Sequence, residues 1–367
     1  MRQRPDRHKV LLLGPSIAAV SGVSTHVRQI MASSIAVEFD LEHFQVGSEG
    51  RYETGVAKFL RFLLSPIFLV IIIVRRRTEI VHINTSLNFK AFWRDFVYLL
   101  LVKLLARKAI YQVHGGSLEV FLHASHLRRT AVRMALSLGD VVVVLSKAEL
   151  AAYSRLVVGS VISLIPNAID VAEYCPTTSR NEGGSQLVLR YLGRLDREKG
   201  LFEALHAMRI LRVERNINNV RMQIAGVGPA ESELKERIAE FDLTECAAMT
   251  GPLFGRDKIR FLQNADMLVF PSYHEGLPYV ILESMAAGTP VLTTPVGAIP
   301  EIIKNGVHGI FVKPRDAIAL ADAIEKIMKD RRSLKRMSKA CVEHARERYS
   351  KERLETQFKQ LYRSVLA

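Results

Sequence analysis

Met267-Leu-Val-Phe-Pro-Ser-Tyr-His-Glu-Gly-Leu-Pro-Tyr-Val-Ile-Leu-Glu283 packs a strand, a loop and the first turns of a helix into one short segment. Met267 to Phe270 is a brief apolar run stopped by Pro271-Ser272, the pattern of a strand buried on both faces. Pro278 suits the first turn of a helix and Gly288 its end. Glu275 therefore falls in a loop, and Glu283 on the helix eight residues on. The amides of Gly276 and Leu277 lie at the helix N-terminus, where backbone donors and the dipole favour an anion. A glutamate on the helix beyond such an anion can accept two hydrogen bonds from vicinal hydroxyls, as on a ribose.

Strands and helices alternate in both directions from this segment, the signature of parallel α/β sheets. In the first half, strands are expected at Lys9–Leu13, Leu41–Val46, Ile80–Asn84, Ala109–Val113 and Val141–Leu145. The last, Val-Val-Val-Val-Leu, reads as a central strand. Helical patterns lie between them at Val23–Ala36, Leu60–Arg76, Phe92–Arg107 and Arg128–Leu138. Pro166-Asn167 makes a turn, and the polar stretch Pro176–Ser185 is expected to be the linker. A second set follows, with strands at Gln186–Leu192, Met222–Ala225, Met267–Phe270, Val291–Thr293 and Ile310–Val312. Its helices are expected at Phe202–Arg215, Glu231–Phe241 and Tyr279–Ala287, with long charged helices from Ala317 onward. Two successive doubly wound units imply a crevice at the carboxyl ends of the two sets of strands, where ligands bind in such folds.

The chain has 367 residues, 49% of them apolar and 24% charged, as expected for about two globular domains. Lys and Arg number 51 against 37 Asp and Glu, and residues 1–150 hold 20 basic and 11 acidic residues. That excess suits phosphate, anionic lipid or nucleic acid, or a solvated basic surface. Without zinc spacing or an interleaved aromatic patch, nucleic acid is not the expected partner. Cys175, Cys246 and Cys341 are scattered, which fits a reducing compartment. The charged start, Met1–Lys9, followed by the short run Val10–Gly14, does not read as a secretory signal. Phe62–Val74 is the most apolar stretch and reads as too short to cross a hydrocarbon core of roughly 30 Å. It is either a buried helix or a membrane-surface helix, since Lys58 and Arg61 precede it and Arg75-Arg76-Arg77 follow. Phe96–Leu105, ending in Ala106-Arg107-Lys108, reads as a second element of the same kind.

Four further loops end strands. In Gly193-Arg194-Leu195-Asp196-Arg197-Glu198-Lys199-Gly200, two cations on a glycine-flanked loop can clamp a diphosphate and neutralise a departing phosphate; the plain alternative is a solvated loop. Gly14-Pro15-Ser16 through Ser21-Gly22-Val23, His114-Gly115-Gly116 and Gly226-Val227-Gly228-Pro229 place glycines where backbone can approach a ligand. His114 is equally readable as a structural histidine. No Asp-x-Asp appears.

In this order, the pieces resemble the large retaining glycosyltransferase family of GT-B fold, glycosyltransferase family four, which includes bacterial mannosyltransferases, sucrose synthases and lipopolysaccharide or capsule glycosyltransferases. The resemblance rests on Glu275-x7-Glu283, on Gly193-Arg194 to Lys199-Gly200, on Pro166-Asn167-Ala168-Ile169-Asp170 and on Ile224-Ala225-Gly226-Val227-Gly228-Pro229. It implies an α/β fold of two Rossmann-like doubly wound domains with a cleft between them. Residues 1–168 would bind the acceptor, residues 169–348 the nucleotide sugar, and residues 349–367 would form a helix crossing back to the first domain.

The same resemblance implies roles residue by residue. Arg194 and Lys199 would hold the donor diphosphate, and Glu283 the ribose hydroxyls. Glu275 would contact the donor sugar, with Gly276, Leu277 and Pro278 beside it. His114 would sit near the reacting sugar and Gly22 would face the phosphates. Gly193, Gly226 and Gly228 would border the donor, and Gly251–Lys258, with Phe254, would flank the base. Similar proteins often carry two glycines in the first loop; Ser21 stands at the first of these places, which puts close backbone approach there in question. The implied reaction moves a sugar from a nucleoside diphosphate to a hydroxyl with retention, without metal or cofactor, the leaving phosphate acting as base. The acceptor is expected to be a lipid-linked glycan of bacterial surface polysaccharide synthesis, reached from the cytoplasm at an anionic membrane surface. Two rivals share the fold: a nucleotide-sugar epimerase, and a non-catalytic subunit that binds sugar nucleotides.

Overall fold

A computed structural model describes residues 7–19, 21–51, 53–115, 125–157, 159–175 and 186–367. Gly116, the expected linker Pro176–Ser185 and most of the charged start lie outside these residues. The chain divides into two compact units, Met1–Asn167 with Lys351–Ala367, and Ala168–Ser350.

The first unit is built on six parallel strands: β1 (Lys9–Gly14), β2 (Asp40–Gln45), β3 (Ile80–Thr85), β4 (Lys108–Val113), β5 (Val141–Val144) and β6 (Ile162–Leu164). Their order is β2-β1-β3-β4-β5-β6, so the winding reverses between β1 and β3. β3, β4 and β5 are buried almost throughout; β5 reads as an unbroken apolar run, whereas β3 and β4 also bury His82, Asn84, Thr85 and Gln112. β5 is not central as expected; it stands one place from the edge, beside the short, half-buried β6 that the apolar pattern did not mark. The helix expected at Val23–Ala36 is two, Gly22–Met31 and Ile35–Glu38, separated where the Ser33 hydroxyl turns back to the Ile30 carbonyl (2.6 Å).

The helix after β2 runs from Gly55 to Arg76, capped by the Thr54 hydroxyl and stopped by Arg77 in left-handed conformation. At 1.5 Å per residue it is about 33 Å long. It is therefore long and apolar enough to cross a membrane, contrary to the reading of Phe62–Val74 as too short. The helix continues through Pro66, and the Phe62 carbonyl that Pro66 cannot engage accepts the Ser65 hydroxyl at 3.4 Å. Nor is it a buried helix: only Ser65, Leu69 and Ile73 are buried, one stripe at four-residue spacing. The helix Phe89–Leu104 is the opposite case. Phe92, Phe96, Leu99 and Val102 enter the core, so Phe96–Leu105 is not a second surface element. The final helix, Lys351–Leu366, packs in this first unit against β3 and Ile35–Glu38, burying Leu354, Phe358 and Tyr362.

The second unit has six parallel strands: β7 (Leu187–Leu192), β8 (Val220–Ala225), β9 (Ala247–Gly251), β10 (Met267–Phe270), β11 (Val291–Thr293) and β12 (Gly309–Phe311). The order is β12-β11-β10-β7-β8-β9. The edge strand β9 escaped notice because its alanines carry little strand preference. The helix expected at Phe202–Arg215 is α-helical only over Leu201–Arg209 and ends in a π turn, Ile210–Glu214. Ile169 and Ser350 pair in a short bridge that brings the two ends of this unit together. Because β7 enters the middle of the sheet, its carboxyl end lies beside that of β10, at the switch point.

Glycines let the strand-end loops touch. At Gly226 (φ +148°) a Cβ would stand 1.8 Å from the Gly193 carbonyl oxygen, and at Gly228 one would stand 2.1 Å from that of Leu195. Gly251 has φ +76° but open space around it. Gly226→Ala is therefore expected to cost roughly 2–4 kcal/mol, against about 1 kcal/mol for Gly251→Ala, whose strain is conformational alone. Urea unfolding of the two variants measures this; equal costs would show that the loop contact contributes nothing.

Candidate functional site

The loops after β7 and β10 meet at one ion pair. Lys199 Nζ lies 2.6 Å from Glu275 Oε1, both side chains largely withdrawn from solvent. The loops are locked together behind the pair. The Tyr273 amide donates to the Glu198 carbonyl (2.9 Å), and so does the Ser272 hydroxyl (3.3 Å). Gly200 (φ +70°) permits this approach, since a Cβ there would stand 2.1 Å from the Pro271 carbonyl oxygen. A third loop, which sequence reasoning missed, braces Glu275 from behind. At Gly297 (φ +55°) a Cβ would stand 1.9 Å from the Glu275 carbonyl oxygen, and the Ala298 amide donates to the Gly276 carbonyl (3.0 Å). Val296-Gly297-Ala298 carries no charge, so only its strand-end glycine could have flagged it. The buried Tyr191 phenol, near Glu275 and Asp196, is held well above its ordinary pKa by burial and then by those charges, and donates to the Arg194 carbonyl (2.7 Å).

The helix that follows, Tyr279–Ala286, has Pro278 as its N-cap residue, one place outside the first turn where it was expected. Leu277 is buried at its entrance. Glu283, one turn in, is 5% exposed, and its Oε1 accepts from Lys258 Nζ at 2.6 Å. Sequence spacing gave no sign of this pairing, because the partners lie on different helices, Gly255–Gln263 and Tyr279–Ala286. Phe254, the N-cap residue of the first of these, is 57% exposed. Arg194 is solvent-exposed and 3.8 Å from Asp196; it shares the β7 loop with Lys199 but not the ion pair with Glu275. Gly226 and Gly228 lie against the backbone of Gly193 and Leu195, and Gly193 lies against the Tyr191 ring.

In the first unit, Gly22 opens the helix Gly22–Met31, and Ser21 is its N-cap, accepting the Ser24 amide at 3.3 Å. Ser21 has φ −149°, an extended conformation open to any residue, so serine replaces glycine there without strain. His114, at the end of β4, lies at the top of a buried polar column. Its Nε2 is 2.7 Å from Asn84 Oδ1. Asn84 spends its amide nitrogen on the Leu13 carbonyl (3.0 Å), so Oδ1 accepts and His114 Nε2 carries the proton. The His26 ring packs edge-on against His114 at 4.5 Å. His26 Nε2 and His82 Nε2 both reach Gln112 Oε1, at 3.1 and 2.9 Å, and His82 Nδ1 meets the Tyr362 hydroxyl at 2.9 Å. Burial lowers the pKa of all three imidazoles, to about 3 for His26 and about 4 for His82, with neighbouring histidines adding to the effect at His26 and His114. The column is neutral.

Neutral buried histidines tie stability to pH. Their folded pKa values lie below the unfolded value, so their contribution is intact above about pH 6.5 and is lost as pH falls toward 4 and below. At about 1.4 kcal/mol per unit, His82 alone accounts for roughly 3 kcal/mol. Urea unfolding between pH 7 and pH 4 should show this decline, with a shallower slope in His82→Asn; an unchanged slope would remove the column as its cause. In the second unit, Lys258→Ala leaves a buried carboxylate without its cation and should cost about 2–4 kcal/mol, part of which Glu283→Gln in the same chain should restore.

Residues 178–348 match the family described as glycosyl transferases group 1. Glycogen synthase of Mycobacterium tuberculosis is 32% identical over 179 residues, covering 49% of this chain and 42% of that protein. A putative teichuronic acid biosynthesis glycosyltransferase of Bacillus subtilis is 29% identical over 225 residues, covering 59% of this chain and 54% of that protein. The chain thus spans about half the length of the curated relatives it matches. The crystal structure of Anabaena HepE in complex with UDP-glucose superposes with a TM-score of 0.75 at 19% identity, over 97% of this chain and 99% of that one, which establishes the two-domain GT-B fold. The match in sequence and the fold agree: residues 178–348 are similar to the glycosyl transferases group 1 family.

Proposed function

We propose that this chain is a retaining, metal-independent glycosyltransferase that moves a sugar from a nucleoside-diphosphate sugar to a hydroxyl. The observation that carries this reading is the Lys199–Glu275 pair at the switch point of the second sheet, in front of the helix Tyr279–Ala286. Lys199, joined by the exposed side chain of Arg194, would take the diphosphate and stabilise the charge that develops as the nucleotide leaves. The amides of Gly276 and Leu277 would add backbone donors to the same charge. Glu275, its carboxylate oriented by Lys199, would accept hydrogen bonds from the donor sugar. Glu283, oriented by Lys258, would receive the ribose hydroxyls, with Phe254 and its neighbours along the base. With its proton on Nε2 and spent on Asn84, His114 would offer Nδ1 as an acceptor to a sugar hydroxyl.

A nucleotide sugar is supported as donor by the UDP-glucose complex of the similarly folded Anabaena protein. A lipid-linked acceptor of bacterial surface polysaccharide synthesis, met at the cytoplasmic face of the membrane, is supported by the teichuronic acid relative and by the exposed apolar helix of the first unit. A thermal-shift series with UDP-, GDP- and ADP-sugars should single out one nucleotide. With that donor, Lys199→Ala should cut turnover on the order of 10²–10³-fold at temperatures where the variant remains folded, the loss of its cation at Glu275 lowering the unfolding midpoint as well. Full activity in Lys199→Ala would overturn its role, and an isomerised nucleotide sugar formed from donor alone would identify an epimerase instead.

A further inference from the structure

We propose that the outward face of the helix Gly55–Arg76 is a docking surface for an anionic lipid membrane, and that the helix lies along that surface without crossing it. This deepens the membrane-associated part of the functional reading. Helices at a protein surface normally turn polar residues to water. This one does the reverse. Opposite the buried stripe of Ser65, Leu69 and Ile73, an arc of Phe59, Leu60, Leu63, Ile67, Ile71 and Val74 faces solvent, with Phe59 61% and Ile67 56% exposed. No charged side chain falls within that arc. Lys58 and Arg61 project toward the side of the buried stripe, and Arg75 to Arg77 stand at the end. An uncharged apolar arc of this length is far more than scattered surface hydrophobics.

Its flanking charges select the occupant. Arg76 is tethered to Glu42 (3.2 Å), while Lys58, Arg75 and Arg77 are exposed. The helix contains no acidic residue, so a second copy offers the exposed Arg75 and Arg77 no carboxylate partner in either orientation. Anionic headgroups supply that partner while the arc enters the interfacial layer.

The helix is also fastened along its length. Arg61 pairs with Glu53 at 2.9 Å, the Ser65 hydroxyl meets the Tyr98 hydroxyl at 2.7 Å, and Leu69 and Ile73 belong to the core of the first unit. Crossing a bilayer would break all of these, whereas lying flat on the surface keeps them.

The test is co-sedimentation of the full chain with vesicles of phosphatidylcholine alone or with 30% phosphatidylglycerol added. We expect binding to the anionic vesicles, at least tenfold tighter than to the neutral ones. Phe59→Ser, Leu63→Ser and Ile67→Ser together, which remove no buried side chain, should abolish it with the circular-dichroism melt unchanged. Arg75, Arg77 and Lys58 changed to Gln should weaken binding to the anionic vesicles selectively. Depth is read in a Trp93→Phe background, with single tryptophans at Phe59, Ile67 and Val74 and lipids brominated along the acyl chain. Equal shallow quenching at all three positions supports a helix lying flat; a depth gradient from one end to the other would overturn it. A wild-type dimer dissolved by the triple serine variant, without vesicle binding, would assign the face to self-association and also overturn the proposal. None of these readouts requires donor or turnover, so a failed transfer assay leaves this result standing on its own.

Discussion

Lys199 and Glu275 lie 76 residues apart in sequence and 2.6 Å apart in space, and the candidate site depends on that contact. It exists because the chain enters the second sheet at β7, in the middle, and returns to β7's other side with β10. A parallel sheet wound in that way opens two loops side by side at the carboxyl ends of neighbouring strands. Everything around the pair serves the close approach of those loops. Gly200 lets one backbone lie against Pro271, and Gly297 lets a third loop support Glu275 from behind. The pair orients both partners, and in the proposed reaction that would lower the reorganisation needed as charge develops.

The first unit solves a different problem. It places polar side chains at the inner ends of β3 and β4 and must keep them uncharged. Gln112 accepts from two imidazoles, Asn84 fixes the proton of a third, and Tyr362 closes the column from the final helix. Burial does the electrostatic work, since an imidazolium there would lose its hydration with no carboxylate in the column to compensate it. Tyr362 reaches the column only because Lys351–Leu366 packs in this unit, so the end of the chain completes a structure begun near its start.

Between these two arrangements, the helix Gly55–Arg76 shows where composition misleads. An apolar segment flanked by cations has the same sequence whether it is buried, laid on a surface or passed through a membrane. The choice turns on which side chains find partners within the unit. Here one narrow stripe does, and the broader arc does not.

Much of the chain was legible beforehand. The strand runs β1 to β5, β7, β8 and β10 to β12 are set by short apolar blocks between turn residues, and Glu275, Glu283 and Lys199 could be placed in loop or helix from Pro, Gly and periodicity alone. What stayed hidden was weak in local pattern or nonlocal in cause. β6 and β9 are short edge strands whose side chains need little burial, so no apolar run marks them. The Lys258–Glu283 and Lys199–Glu275 pairs, the brace at Gly297 and the histidine column join residues that only the order of strands brings together. Sequence determines which segments must hide from water and which conformations their turns allow. Tertiary structure decides which charged groups then face one another, because that depends on the winding of the sheet, and winding is a property of the whole chain.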